Sequence, residues 1–183
     1  TKGISYAGAF EKAGIANISK TDKVFDKATF EDIAVQGFDH VRIPVDFSAN
    51  TDDTTTDYKF VSGALETLDI VVKNAMQAGL TVVLDFHQEC KLNDDTLHTN
   101  PTAVSPKYIK IWEQLAEHYK DYPKALVFEV INEPPVDDTT FTNGTLMNLQ
   151  EQVLEISKRA NASRNIIVTV RNANSSYQLT DLS

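Results

Sequence analysis

Short apolar runs alternate with longer segments in which apolar residues return every three or four positions, a pattern that predicts strands joined by helices. Ile4 to Phe10 reads as a first strand, interrupted by Gly8. Phe30, Ile33 and Ala34 give Thr29 to Gln36 a helical spacing that stops at Gly37. His40 to Val45 is a β-rich run with Pro44 near its end, where a missing N–H costs least. Residues 46–62 are polar and turn-rich and predict a long surface loop. Leu65, Leu68, Val72, Ala75 and Met76 then mark a helix over Ala64 to Ala78. Gly79 ends it, and Leu80 to Phe86 follows as a buried strand. Past a loop from Gln88 to Ser105, Pro106 opens a helix to Tyr119, and Ala125 to Ile131 forms the next strand. A helix over Thr145 to Ala160 and a strand over Asn165 to Val170 complete the series.

Strands alternating with helices of this length are βαβ units, which force a parallel sheet with right-handed crossovers. The pattern therefore predicts an α/β fold of about five parallel strands and four helices, with no linker dividing residues 1–183 into separate domains. Ligands of such folds sit at the carboxyl ends of the strands, and the chemically able residues of this chain gather there. The second strand ends in Arg42-Ile43-Pro44-Val45-Asp46, the third in Asp85-Phe86-His87-Gln88-Glu89, and the fourth in Glu129-Val130-Ile131-Asn132-Glu133-Pro134-Pro135. Strand alternation puts Thr81, Val83, Asp85 and His87 on one face, with Leu80, Val82, Leu84 and Phe86 on the other. Glu129, Ile131 and Glu133 likewise share a face. The polar sets are expected to line the concavity of the sheet and the apolar sets to meet the helices.

Glu133 is the leading candidate, because a carboxylic acid at a strand end, beside Asn132 and a rigid Pro-Pro, is placed to donate a proton. Arg42 is suited either to clamping an anionic group or to a structural ion pair. His87 can hydrogen-bond a substrate hydroxyl, tune a nearby carboxylate or simply pack. His118 and Trp112 lie within a helix and read as packing or surface residues.

Composition changes this picture mainly by exclusion. The 183 residues are 42% hydrophobic and 23% charged, and 17 basic against 26 acidic side chains leave a net charge of −9 without any basic stripe. Nucleic acid and anionic membrane surfaces are poor partners for such a chain. No apolar run approaches the ~18 residues of a membrane span. One cysteine, Cys90, cannot form a bridge within the chain. The histidines show no metal-ligand spacing, no Gly-rich phosphate loop follows a strand, and no Gly-x-Ser-x-Gly elbow occurs, so neither a metal nor a cofactor is expected.

The strand-end motifs resemble glycoside hydrolase family 5, the family of the endo-β-1,4-glucanases. The resemblance is carried by Phe38-Asp39-His40-Val41-Arg42-Ile43-Pro44-Val45, by Gly79 through His87, and by Phe128-Glu129-Val130-Ile131-Asn132-Glu133-Pro134. The stretch from Trp112 to Pro123 and, more weakly, the opening from Gly3 to Glu11 extend it over nearly the whole chain. It implies a TIM (β/α)8 barrel of which this sequence holds strands one to five, with strands six to eight absent. It also implies a secreted enzyme whose signal peptide is not in this chain, and retaining hydrolysis of β-1,4-glucan without a cofactor. Glu133 becomes the general acid/base, Asn132 the contact to the sugar 2-hydroxyl, Arg42 the support of the nucleophile's carboxylate and His87 a subsite residue. Glu11 would lie near the glycone side, and Gln88 stands where many members carry a second histidine. Gly8 stands where the first strand of the family has Asn, and Ala173 replaces an aromatic before Asn174-Ser175, removing a sugar-stacking ring.

The family's nucleophile belongs to a seventh strand, so no residue of this chain is assigned to it, although retaining hydrolysis needs two carboxylates ~5–5.5 Å apart. The expected partners are accordingly a β-glucan or related oligosaccharide together with a second copy of the chain or a complementing C-terminal fragment. A non-catalytic carbohydrate-binding remnant is a further reading; an unrelated flavodoxin-like domain with five parallel strands fits the strand count but does not explain Asn132-Glu133-Pro134 and Val41-Arg42-Ile43-Pro44.

Overall fold

A computed structural model describes residues 1–8, 10, 11, 15, 23–87, 99–134, 140 and 142–169. Five strands, β1 (Gly3–Ser5), β2 (His40–Val45), β3 (Thr81–Phe86), β4 (Leu126–Glu129) and β5 (Asn165–Ile167), alternate with four helices. These are α1 (Lys27–Val35), α2 (Ala64–Gln77), α3 (Pro101–His118) and α4 (Asn143–Ala160). Every strand pair is parallel, and the spatial order β1-β2-β3-β4-β5 is the chain order. A flavodoxin-like sheet reverses its strand order at a switch point, and this one does not. Right-handed crossovers that always step the same way lay every helix on one face of the sheet, as in part of a (β/α) barrel.

The helix-facing side is the core. Val41, Ile43, Val45, Val82, Leu84, Phe86, Leu126 and Phe128 are all buried there. They join one cluster with Leu68, Val71 and Val72 of α2, Ile111, Trp112 and Leu115 of α3, and Leu149 and Val153 of α4. The Trp112 ring sits 6.0 Å from Phe86 and 5.2 Å from Phe128, tying α3 to two strands. Among the described residues no helix is long and apolar enough to cross a membrane.

Element boundaries depart from the hydrophobic periodicity where polar caps decide them. α1 starts two residues before Thr29 because the Asp26 side chain accepts from the Ala28 N–H at 3.0 Å. α3 starts five residues before Pro106: Asn100 caps it, Pro101 takes the first turn, where an N–H is not needed, and Pro106 lies inside the helix. α4 starts at Asn143 under the Thr142 hydroxyl, which accepts from the Thr145 N–H at 3.1 Å. β1 is only three residues long, although Phe10 still bridges Val45.

The predicted surface loop after β2 is in part interior. Phe47–Asn50 form a 3-10 turn in which Phe47, Ser48 and Asn50 are buried, and Thr51 pairs with Phe60. Two forces draw it in. The Phe47 ring packs 5.3 Å from Phe86 and 6.2 Å from Phe60. The polar groups satisfy one another: Asp46 accepts from the Ser48 hydroxyl at 2.5 Å and the Ala49 N–H at 3.1 Å, and the Asn50 amide donates to the Asp46 carbonyl at 2.9 Å.

At the opposite end of the strands lies Arg164, 1% exposed, just before β5. Its guanidinium donates to the backbone carbonyls of Tyr119 (2.6 Å), Tyr122 (3.1 Å), Pro123 (2.9 Å) and Leu126 (2.5 Å). It also stacks on Phe128 at 4.9 Å. One side chain thus closes the C-terminus of α3 and fixes where β4 and β5 begin.

Candidate active site

The alternation His-Val-Arg-Ile-Pro-Val sends Val41, Ile43 and Val45 to the core and leaves Arg42 on the opposite, inner face. Strand register brings its partners within reach, with Pro44 beside Asp85 and Asp85 beside Glu129. Arg42 Nε donates to Glu129 Oε2 at 2.6 Å and Nη2 to Oε1 at 3.0 Å, a two-pronged grip across β3. Nη2 also reaches Asn132 Oδ1 at 3.0 Å and Asp85 Oδ2 at 2.8 Å. The same Asp85 oxygen lies 2.8 Å from His87 Nδ1. Backbone bonds beyond the strand ends hold the outer members in line: the His87 N–H donates to Val45 O at 2.9 Å and the Asn132 N–H to Phe86 O at 3.1 Å. Behind β4, the buried Tyr108 hydroxyl donates to the Val130 carbonyl.

The electrostatics follow from burial beneath an arginine. Asp85 is fully buried, and its pKa is pushed up to about 6 by burial and by the Glu129 charge, against the pull of His87 and Arg42. Its second oxygen, Oδ1, has no hydrogen-bond partner among the described residues. The Arg42 guanidinium is held above its usual value although burial opposes this, because the hydrogen bond to Glu129 and the charges of Asp85, Glu129 and Glu133 outweigh it. Glu133 follows at the rim, exposed and with φ of +32°, a left-handed backbone unusual for a glutamate. Such strain persists where neighbours fix it, and here Asn132 is tied to Arg42 and Pro134 is buried.

Of the six residues singled out in the sequence, the structure brings Arg42, His87 and Asn132 into one network and sets Glu133 next to it. Glu11 is buried, its carboxylate accepting from the backbone N–H groups of Gly8 and Phe10. Gln88 lies outside the described residues, as do Glu89, Cys90 and the Ala173-Asn174-Ser175 segment. Arg42 makes an ion pair with Asp85 and Glu129, and His87 has a carboxylate partner in Asp85. Two members were not named as site residues, Asp85 and Glu129. Their signal was a carboxylate embedded in an apolar strand (Val-Val-Leu-Asp-Phe, Leu-Val-Phe-Glu), which must be paired if buried. Trp112 is core, as its helical setting suggested, and His118 Nε2 meets Asp69 at 3.0 Å. Among the described residues no three His, Cys, Asp or Glu side chains gather to hold a metal ion.

Known proteins resemble this chain in the same region. The family model for cellulase (glycosyl hydrolase family 5) matches residues 9–182. A xyloglucan-specific endo-β-1,4-glucanase of Bacteroides ovatus is 34% identical over 145 residues, covering 76% of this chain and 29% of that protein. The crystal structure of a cellulose synthase subunit Z of Clostridioides difficile superposes with a TM-score of 0.82 at 31% identity, over all of this chain and 56% of that one. Thermotoga maritima Cel5A in complex with mannotriose gives a TM-score of 0.80 at 28% identity, over 100% of this chain and 55% of its own length. The chain therefore spans between about a third and somewhat over half the length of these relatives.

Proposed function

The chain belongs to glycosyl hydrolase family 5, the cellulases, and on that premise we propose that it supplies the acid/base half of a retaining β-1,4-glucan hydrolase. One observation carries the reading: a single arginine on β2 holds the ends of β3 and β4, through Asp85, Glu129 and Asn132, immediately beneath an exposed glutamate. In this role Glu133 protonates the leaving glycosidic oxygen and then takes a proton from the attacking water. Asn132, whose Oδ1 accepts from Arg42, contacts the sugar 2-hydroxyl. His87 lines the subsite at the cleavage point. Arg42 supports a second carboxylate, the nucleophile, which the resemblance places on a strand beyond the fifth. Secretion fits a polymer substrate. Mannotriose bound by a relative keeps a mannan within the same reading.

A second reading is a non-catalytic half-barrel that binds sugar or pairs with a second copy or a complementing segment. It is favoured by the outermost described strands, where Ile4 is 38% and Ile167 41% exposed. Release of reducing sugar from soluble β-glucan separates the two. The catalytic reading expects activity in the chain, alone or completed by association, and a loss of at least about 100-fold in Glu133→Gln. Equal activity in both proteins overturns the role given to Glu133. Binding of cello-oligosaccharides with no turnover selects the second reading.

A further inference from the structure

One member of the network has no chemical role of its own in that reading. Asp85 is buried to 0% exposure, yet its Oδ2 receives both His87 Nδ1 and Arg42 Nη2, each at 2.8 Å. An ionised carboxylate oxygen can only accept, so the hydrogen of that bond belongs to the imidazole. A neutral histidine carries one ring proton, and a proton held on Nδ1 leaves Nε2 as an acceptor. In water the neutral ring favours the opposite form, with the proton on Nε2. Among the described residues, the charged groups of the neighbouring strands do not reverse the assignment: Arg42 from β2 cannot accept a hydrogen bond, and Glu129 from β4 is engaged by both prongs of Arg42.

We propose that Asp85 is a positioning residue that locks His87 in the Nδ1–H form, fixing its ring plane and making Nε2 an acceptor for a sugar hydroxyl. The same oxygen couples that histidine to Arg42, so the imidazole and the guanidinium keep a common position. This rests on the glucan reading of the site for its consequence, but the tautomer itself does not depend on any sugar. A donor histidine at this place would reward a different hydroxyl geometry, so Asp85 acts on substrate selection through His87 without itself touching the substrate.

Long-range proton–nitrogen NMR of the histidine rings in the full chain tests it, with His87→Gln identifying the resonance. The spectrum is taken at about pH 8, some two units above the raised Asp85 value of about 6, so that the carboxylate is ionised. The wild type is expected to show His87 as Nδ1–H, with a slowly exchanging, far-downfield ring proton. An Nε2–H ring overturns the proposal outright. Asp85→Leu, which removes the acceptor, is expected to return the ring to Nε2–H, and retention of Nδ1–H there also overturns it. Should that variant not fold, Asp85→Asn decides: it keeps an acceptor but loses the charge, so the ring proton must move upfield. An unmoved proton sinks the proposal. Cellotetraose titration of the same samples keeps the two readings apart. No binding by the wild type counts against the glucan reading alone, whereas equal affinity in wild type and a folded Asp85→Leu protein removes the substrate role of the lock.

Discussion

Two arginines anchor the two ends of this sheet, and they do it with different chemistry. Arg164, at the beginnings of β4 and β5, is solvated wholly by backbone carbonyls and an aromatic face, and burial lowers its pKa. Arg42, facing the strand ends, is 27% exposed, meets side-chain carboxylates and is held above its usual value despite burial. Backbone carbonyls are present whatever the sequence, so the Arg164 contacts belong to the fold. They include the end of α3, where the helix dipole favours a cation. Carboxylates are chosen, cost desolvation and leave one oxygen of Asp85 without a partner among the described residues. Barrels commonly separate stability from chemistry along the strand axis in this way.

The comparison breaks most visibly through paired substitutions. Arg164→Met is expected to cost about 3–5 kcal/mol, because four backbone carbonyls, two of them in buried contacts, lose their donor at once. Arg42→Gln, partly hydrated and replaced by a group that still donates, is expected to cost only about 1–2 kcal/mol. Urea denaturation of both proteins checks the ranking, and equal losses would mean that the two ends are not divided as described.

The next effect concerns pH. Asp85 has a native pKa of about 6, above its ordinary value of 3.8. Between those values the folded chain binds a proton that the unfolded chain has released. Stability contributed by this group is therefore full below about pH 4 and falls by up to about 3 kcal/mol as pH rises through 6. Asp39, lowered chiefly by its hydrogen bond to His40, has the opposite sign and acts below this window. Denaturation midpoints from pH 4 to 7 are expected to lose that downward slope in Asp85→Asn. An unchanged slope would show that Asp85 is not the group responsible.

The smallest effect is a gain. Glu133 holds a φ of +32°, which glycine adopts without strain. Glu133→Gly is expected to raise stability by about 1 kcal/mol while removing the acid. A loss of stability instead would show that the Glu133 side chain, not its neighbours, maintains that turn.

Much of this was legible in the sequence because period-2 alternation separates the faces of a strand. Arg42, Asp85 and Glu129 stood out as polar positions on faces opposite Val41, Leu84 and Phe128. Their pairing was not legible: Arg42 and Glu129 are 87 residues apart, and no local pattern records which carboxylate answers which guanidinium. The start of α3 was missed for a related reason. Pro106 looks like an N-terminal proline, but the cap is set by Asn100 and Pro101 one turn and more before it. The 3-10 turn at Phe47–Asn50 read as loop because its polar residues outnumber its one large apolar side chain, and their mutual hydrogen bonds are what permit burial. Arg164 carried no sequence signal, since its partners are main-chain atoms.

The strict order of the five strands makes the sheet nearly one-dimensional, each unit pairing only with the one before and the one after. Such arrays loosen piecemeal, unit by unit from the edges. Arg42 is a second-neighbour tie in that array: it spans β3 to join β2 to β4, strands roughly 10 Å apart. A ligand that favours the clasped arginine would therefore slow amide hydrogen exchange in β2, β3 and β4 together, as a single cooperative block, while β1 and β5 continue to open on their own schedule.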